Sequence, residues 1–538
     1  MKIRGLAHQW FGSSMALLLC GLLLLTRAGA ATVLSGNVSG TWTTNGSPYI
    51  LSADCTVASN QTLTIHAGAT VIILPEVSLL VRGQIHAIGT PEQPVTIRGP
   101  TATNYWASIQ MNYSGATNRF RYCRISEGYD ALSFSVLGGG AVMVAEIVDC
   151  DFTNWIDSAI FGEATGATLA PEIHRCIFER GGNFACYFRP NYTPSFPQSA
   201  FVNPRITGNL FKNLLWALRL ELSVGSSASA AVSRPVFINN TVTRCGVGVN
   251  AIPGANFLPA IRNNIFVDNE TGVNSYFGTS STGFDAMYNC FARNFWNFQG
   301  YPGAYGVPVI TNHNGDSCDV FYNIFLDPQF LDTNQFLLSN LSPCVDAGDP
   351  AIADVCFDFS RGTAISDIGA YGGPDACGWI THGFAPVIAG ALSDQSSCVG
   401  GSATFKVRVE GSEPLDYRWY FNGATLLAGE TNAQLNLVNM ETNQAGLYSV
   451  AVSNAFGSVT SAPARLLVFD ACVGIHLYAG LSITGMVGRT YNVEYVTNLA
   501  ATNWTVLASN RFTQPQWLYI DTNTPFDAKK FFRVRLVP

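Results

Sequence analysis

The chain has 538 residues and a net charge of −7, and only 12% of its residues are charged, against a usual ~25%. No basic run occurs, which excludes the clustered Lys and Arg that nucleic acid requires. The length is several times a typical domain of ~100–150 residues, so two to four domains are expected. Plentiful Gly (51), Phe (34) and Tyr (20) suit short strands and turns rather than surface helices.

Residues 1–30 read as a signal peptide. Lys2 and Arg4 give a positive start, Met15 to Leu25 form a short apolar core, and Ala28-Gly29-Ala30 supplies a small-residue cleavage site. The run falls short of the ~20 apolar residues of a membrane span, and no later segment resembles one. Cys20 follows Leu19, which is too large to precede a lipidated cysteine. The mature chain is expected to begin near Ala31 and to leave the cytoplasm.

Residues 60–99 read as short strands at Thr62–Ile65, Thr70–Leu74, Ser78–Arg82 and Val95–Arg98. Beyond them a small pattern recurs, Asn or Cys followed two residues later by Phe, Ile or Val. It begins at Cys123, Cys150, Cys176 and Asn209, and continues at Asn240, Asn264, Asn289 and Asn323. By subtraction the spacings are 27, 26, 33, 31, 24, 25 and 34 residues. Irregular repeats of this size mark a solenoid whose turns differ in loop length. Side chains two apart on a strand share a face, so both pattern positions point inward. In register, equivalent positions on successive coils lie ~4.8 Å apart, close enough for inward Asn amides to hydrogen-bond from coil to coil. Cys fits the same slot as a small buried residue, so Cys123, Cys150 and Cys176 are expected as free thiols in one file.

The segments Gln61–Gly68, Val81–Gly89 and Pro94–Ile97 resemble the opening coils of bacterial right-handed parallel β-helix proteins of the pectin-lyase-like superfamily. Ser342–Pro350 and Asp367–Pro374 resemble their closing segment. The resemblance covers roughly residues 32–378 and implies a right-handed parallel β-helix over 31–378.

After Pro374 the texture changes. Residues 386–468 resemble an immunoglobulin-like β-sandwich: Ala403–Val407 reads as a strand, Trp419 follows, and Ala445–Val450 matches the strand carrying a tyrosine corner at Tyr448. Val407 and Val450 stand where that family places its intersheet disulfide. Residues 472–538 alternate apolar and polar positions, as a small β module does. The fold class is therefore all-β throughout.

Removal of Cys20 leaves 13 of the 14 cysteines, an odd number. Export permits disulfides. Cys356 and Cys377 flank the closing motif and are the first pair expected; Cys318 with Cys344, and Cys398 with Cys472, come next.

Three chemistries are conceivable on such a scaffold. Polysaccharide lysis needs something to neutralise the uronate carboxylate, often Ca²⁺ on a carboxylate cluster, plus a base such as Arg or Lys on the same face, and Arg119, Arg121, Arg124, Glu127, Asp130, Asp149 and Asp151 are close in repeat position. Solvated outward residues would give the same pattern. Glycoside hydrolysis needs two carboxyls ~5–9.5 Å apart, and nothing in their spacing selects Glu221, Asp285 or Asp316. The turn Asn312–Asp319 is acidic but lacks the EF-hand pattern. His66, His86 and His174 read as core or rim residues. No catalytic, cofactor or metal residue is therefore assigned, and no cofactor is expected. The expected function is a secreted or cell-surface non-catalytic scaffold that binds an extracellular glycan or cell-surface polymer. The alternative is a polysaccharide lyase or glycoside hydrolase acting on an acidic polysaccharide.

Overall fold

The computed structural model describes residues 31–112, 117–191, 200–221, 233–251, 258–275, 285–355, 362–379, 385–412, 414–454, 456–470, 479–522 and 530–538. The expected signal peptide, residues 1–30, lies outside them. All the sheets of the first 300 residues are parallel, and the chain winds through about nine turns between residues 40 and 299. Each turn gives one strand to each of three faces. The fifth turn, for example, contributes Val142–Val148 to a first sheet, Asp151–Thr153 to a second and Ser158–Thr165 to a third. The opening strands fall at Thr62–His66, Thr70–Ile73, Leu79–Val81 and Val95–Arg98, within one residue of the sequence expectation at each end.

The corner between the first and second sheets explains the repeat. The residue before each pattern position is left-handed: Tyr122, Asp149, Arg175, Gly208, Asn239, Asn263, Tyr288 and Tyr322 have φ between 50° and 65°. This single bent residue turns the chain sharply and drives the next side chain into the barrel. Only glycine enters the region without a Cβ penalty, and Asn tolerates it; Gly208, Asn239 and Asn263 use those allowances.

Inside the corner the Asn side chains form a continuous ladder. Asn209 Nδ2 donates to Asn240 Oδ1 (2.9 Å), and the same link joins Asn240 to Asn264, Asn264 to Asn289 and Asn289 to Asn323 at 3.0–3.1 Å. Each Oδ1 also accepts a backbone N–H from the preceding coil, as Asn264 Oδ1 does from Asn240 N (2.9 Å). The last rung, Asn323 Nδ2, donates to the buried Asp319 carboxylate (3.1 Å). At the other end Cys176 N donates to Asn209 Oδ1 (2.8 Å), and the thiols of Cys123, Cys150 and Cys176 stack in file, all free and buried. A second ladder, unforeseen in the sequence, lines the next corner: Cys245 N donates to Asn269 Oδ1 (2.8 Å), and Asn269 Nδ2 to Asn294 Oδ1 (3.0 Å).

The apolar pattern position stacks as well. Phe152, Phe178 and Phe211 lie parallel with centroids 4.9 and 4.8 Å apart. Val242 is too small to continue the file, and Phe237 reaches in from the first sheet to bridge Phe211 and Phe266 (5.6 and 6.4 Å). Phe291 and Phe325 complete it.

The closing segment does not simply end the solenoid. It returns along the outside of the first two sheets. Asn239 Nδ2 donates to Asp367 O (2.8 Å), Asn263 Oδ1 accepts from Asp349 N (2.8 Å), and Arg262 pairs with Asp349 (2.5 Å). Under it the outward positions of the second sheet turn apolar. Leu210 packs with Leu337, Tyr371 and Trp379, and Ile265 and Cys290 pack with Leu338, Cys344 and Ile368. Each such burial contributes on the order of 1.5–3 kcal/mol for a large aliphatic chain.

Residues 387–469 form a β-sandwich. Gln395–Cys398, Ala464–Phe469, Gly446–Asn454, Asp416–Phe421 and Thr425–Leu426 make one sheet, and Ser402–Lys406 pairs with Gln434–Val438 in the other. Trp419 is fully buried and its Nε1 donates to Asn432 O (2.8 Å). Tyr448 Oη donates to Gln444 O (2.9 Å), the expected tyrosine corner. Val407 and Val450 are buried in the same core, replacing a covalent link by packing. At the C-terminus, Ala479–Thr484 pairs with Gln516–Asp521, and Thr490–Val496 lies between Thr505–Arg511 and Phe531–Val537. Among the described residues no helix is long and apolar enough to cross a membrane.

Candidate functional site

The charged residues singled out from repeat position do not share a groove. Arg119 faces out from the first sheet and pairs with Glu146 (2.9 Å), whereas Arg124 lies on the second sheet near Asp151 (3.9 Å). Glu127 occupies the left-handed corner that follows, its carboxylate accepting from Gly99 N (3.3 Å). Asp130 belongs to the third sheet. Asp149 is not a solvated residue: it is buried at its corner and takes a bidentate pair from Arg175 (2.7 and 3.1 Å), with Arg121 at 3.7 Å. Glu221, Asp285 and Asp316 are likewise scattered. Asp285 is held by Arg262 on the first sheet, and Asp316 lies in a turn where its N–H donates to Asn312 Oδ1 (2.8 Å). Among the described residues no three His, Cys, Asp or Glu side chains are grouped to hold a metal.

The cysteines of the expected pairs fall in different settings. Cys377 is a free thiol in the short turn Ala376–Gly378, and Cys356 lies outside the described residues. Cys318 and Cys344 are both free thiols, buried under the returning segment. Cys398 is disulfide-bonded; Cys472, its expected partner, lies outside the described residues.

Of the histidines, His66 is exposed, while His86 Nε2 contacts Thr117 O (3.2 Å) on the first sheet. His174 ties the returning segment to the solenoid. Its Nε2 meets Glu172 (2.8 Å), its Nδ1 meets Thr207 Oγ1 (2.5 Å), and Thr207 Oγ1 donates to Asp375 (2.5 Å). Burial alone would lower the pKa of His174; hydrogen bonds and charge from Asp375 and Glu172 outweigh it and raise the value. Burial pushes the Asp375 carboxyl up, but His174, Thr207 and Arg205 together hold it well below the usual carboxylate range.

The outer face of the third sheet concentrates chemistry differently. Register sets Ser133, Phe161, Tyr187, Arg219, Asn250, Asn274 and Gln299 over one another. A neighbouring file runs Phe184, Trp216, Val247, Thr271, Trp296. Arg219 lies over the rings of Phe184, Tyr187 and Trp216 at 5.2–5.3 Å, and Arg189 over Phe161 at 5.3 Å. Each guanidinium is fixed by a carboxylate: Arg189 by Glu163 (3.0 Å) and Arg219 by Glu221 (2.6 Å). Tyr187 Oη donates to Glu221 (2.9 Å), and Asn191 Nδ2 to Glu163 (2.6 Å). From Phe161 to Arg219 the face is thus a half-exposed platform of aromatic rings with donors and acceptors in neutral pairs, whereas Asn250 and Thr271 further along are buried. At one side burial, then the nearby Asp157 charge, pushes the Asp130 carboxyl up to about 6.

Of this face the sequence reading named only Glu221 and Asp130. The signal was present: Phe161, Tyr187 and Arg219 are separated by 26 and 32 residues, against 26 and 33 for Cys150, Cys176 and Asn209 of the inward ladder one strand earlier.

Residues 386–468 match the model of the immunoglobulin I-set domain. The chain is similar to the titin M3 domain, at 24% identity, covering 16% of this chain and 98% of that one with a TM-score of 0.15. It is also similar to the N-terminal Ig1-2 module of the Drosophila receptor protein tyrosine phosphatase DLAR, at 19% identity, covering 15% of this chain and 45% of that one with a TM-score of 0.15. No curated protein matches the chain.

Proposed function

We propose that the protein is a secreted or cell-surface, non-catalytic scaffold that binds a glycan along the outer face of the third sheet. The observation that carries this reading is the in-register platform of Phe184, Tyr187, Trp216 and Arg219, continued by Asn274, Trp296 and Gln299. Aromatic rings pack against the C–H faces of sugars, and Arg–carboxylate pairs offer donors and acceptors to neighbouring hydroxyls. Trp216 and Trp296 lie three coils apart, ~14 Å at the strand spacing, with the buried Asn250 and Thr271 between them, so a short run of an extended polysaccharide would meet the two rings as separate subsites. Glu163 and Glu221 are neutralised in place, which favours recognition over acid–base work. Export is supported by the pattern of residues 1–30 and by the disulfide at Cys398. The Ig-like domain then serves as a spacer or second binding module.

The test is retention of the full chain on a panel of insoluble and immobilised polysaccharides. Trp216→Ala and Trp296→Ala should each weaken retention on the bound glycan at least tenfold; unchanged retention on every glycan would refute the reading. The raised carboxyl of Asp130 beside Asp157 favours a second reading, a lyase or hydrolase of an acidic polysaccharide. Incubation with uronate polysaccharides, with and without Ca²⁺, would then yield unsaturated or reducing ends that Asp130→Asn abolishes.

A further inference from the structure

We infer that Cys290 and Cys344, both free thiols in this structure, are a disulfide-forming pair that on oxidation fastens the returning segment covalently to the last coil of the solenoid. Cys290 lies on the second sheet beside Phe291, whose ring continues the inward stack, so alternation turns the Cys290 side chain outward. It is nevertheless fully buried, because the returning segment covers it. Cys344 comes from that segment, with its N–H donating to Ser342 Oγ (3.1 Å) and its carbonyl accepting from Ile368 N (2.9 Å). These bonds fix the Cys344 backbone over the sheet, and its thiol lies within hydrogen-bonding reach of Cys290.

Other thiols are close by, and geometry separates them. Cys318 shares the cluster, but Cys318 and Cys290 pair with Ile324 from opposite sides. That places them about two strand spacings apart, ~9–10 Å, beyond the ~7 Å Cα limit of a disulfide. The stacked thiols of Cys123, Cys150 and Cys176 sit on adjacent in-register strands. Parallel stacking holds their Cβ atoms ~4.8 Å apart, outside the ~3.5–4.5 Å a disulfide needs. Cys344 is on no ladder and approaches Cys290 from across an interface, free of that constraint. The Cys398 disulfide gives independent support that this chain matures under oxidising conditions.

In the reaction each thiol gives up its proton and the pair gives up two electrons, so that one Sγ–Sγ bond replaces two S–H bonds. The oxidant is a disulfide donor, glutathione disulfide or an oxidised dithiol oxidoreductase, which leaves as two thiols. Burial pushes the Cys344 thiol well up, and thiolate is the reacting form. Exchange therefore takes place while the returning segment is still open, during folding.

The experiment refolds the full chain in a glutathione redox buffer and blocks free thiols under denaturing, non-reducing conditions. The protein is then digested with trypsin and a protease that cuts at Asp, which separates Cys318 from Cys344. The expected result is a Cys290–Cys344 linked peptide in most molecules, absent after reduction, with Cys123, Cys150 and Cys176 alkylated. Cys344→Ser should leave Cys290 alkylated. Alkylation of both Cys290 and Cys344 in the wild type, or linkage of Cys344 to Cys318, overturns the assignment.

Discussion

Replacing Asn264 by Ala isolates the ladder's contribution. Asn264 is fully buried; its Oδ1 accepts from Asn240 N and Asn240 Nδ2, and its Nδ2 donates to Phe237 O and Asn289 Oδ1. Asn240 Nδ2 keeps Ile206 O and Ile238 O as partners, and Asn289 Oδ1 keeps Asn264 N. The group stranded by the change is the Asn240 backbone N–H. An orphaned buried donor costs ~1–3 kcal/mol, and each amide hydrogen bond lost without an orphan ~0.5–1.5 kcal/mol. The total expected is ~3–4 kcal/mol. Urea unfolding of the full chain, followed by far-ultraviolet circular dichroism, should show the solenoid transition moved to lower urea with an unchanged slope. Asn264→Cys, which places in the slot a residue the ladder already uses at Cys176, should cost clearly less. A loss below ~0.5 kcal/mol for Asn264→Ala, within the range of an ordinary surface change, would refute the reasoning.

Other consequences are open to measurement. Docking of the returning segment depends on pH through His174 and Asp375. The raised His174 contributes stability that is complete below its ordinary value of 6.5 and lost as pH rises through its folded value. The depressed Asp375 contributes stability present above its ordinary 3.8 and lost as pH falls. Proteolysis within residues 340–379 should accordingly be slowest between about pH 4 and 6.5, and His174→Gln should remove the alkaline arm of that profile. In the sandwich, Trp419→Ala should cost ~3–5 kcal/mol and unfold that domain alone, leaving the solenoid transition in place. Tyr448→Phe, which removes the bond to Gln444 O, should cost ~0.5–1.5 kcal/mol in the same domain's melt.

Much of the architecture was legible because a parallel solenoid writes its inside into the sequence at fixed offsets. A left-handed corner must be followed by a small inward residue, and the next inward position must fill the barrel; hence Asn240-Thr-Val242 and Asn264-Ile-Phe266 announce themselves. The immunoglobulin-like domain was legible through Trp419 and Tyr448, whose spacing reflects one packed core. The outside was less legible, because an outward position is constrained only by what covers it. Asp149 looked solvent-facing by alternation, yet the left-handed turn at its corner takes it off the strand pattern and buries it against Arg175. Leu210, Ile265 and Cys290 are covered by the returning segment at Leu337, Leu338, Cys344 and Ile368, remote in sequence, which no local pattern encodes. The aromatic platform was missed for a related reason: Phe161, Tyr187 and Trp216 meet only once the register of three coils is known.

Stacking in register is tested most directly by distances along one outward file. Gln110, Arg219 and Gln299 belong to the same file, with Arg219 four coils from Gln110 and Gln299 seven. Spin labels attached through genetically encoded ketone side chains would leave the native cysteines untouched and allow electron–electron dipolar measurement of both separations. At the strand spacing, the backbone distances should be ~19 and ~34 Å, rising linearly with coil number. Separations that fail to grow with coil number, or a Gln110–Gln299 distance far from ~34 Å, would contradict the solenoid.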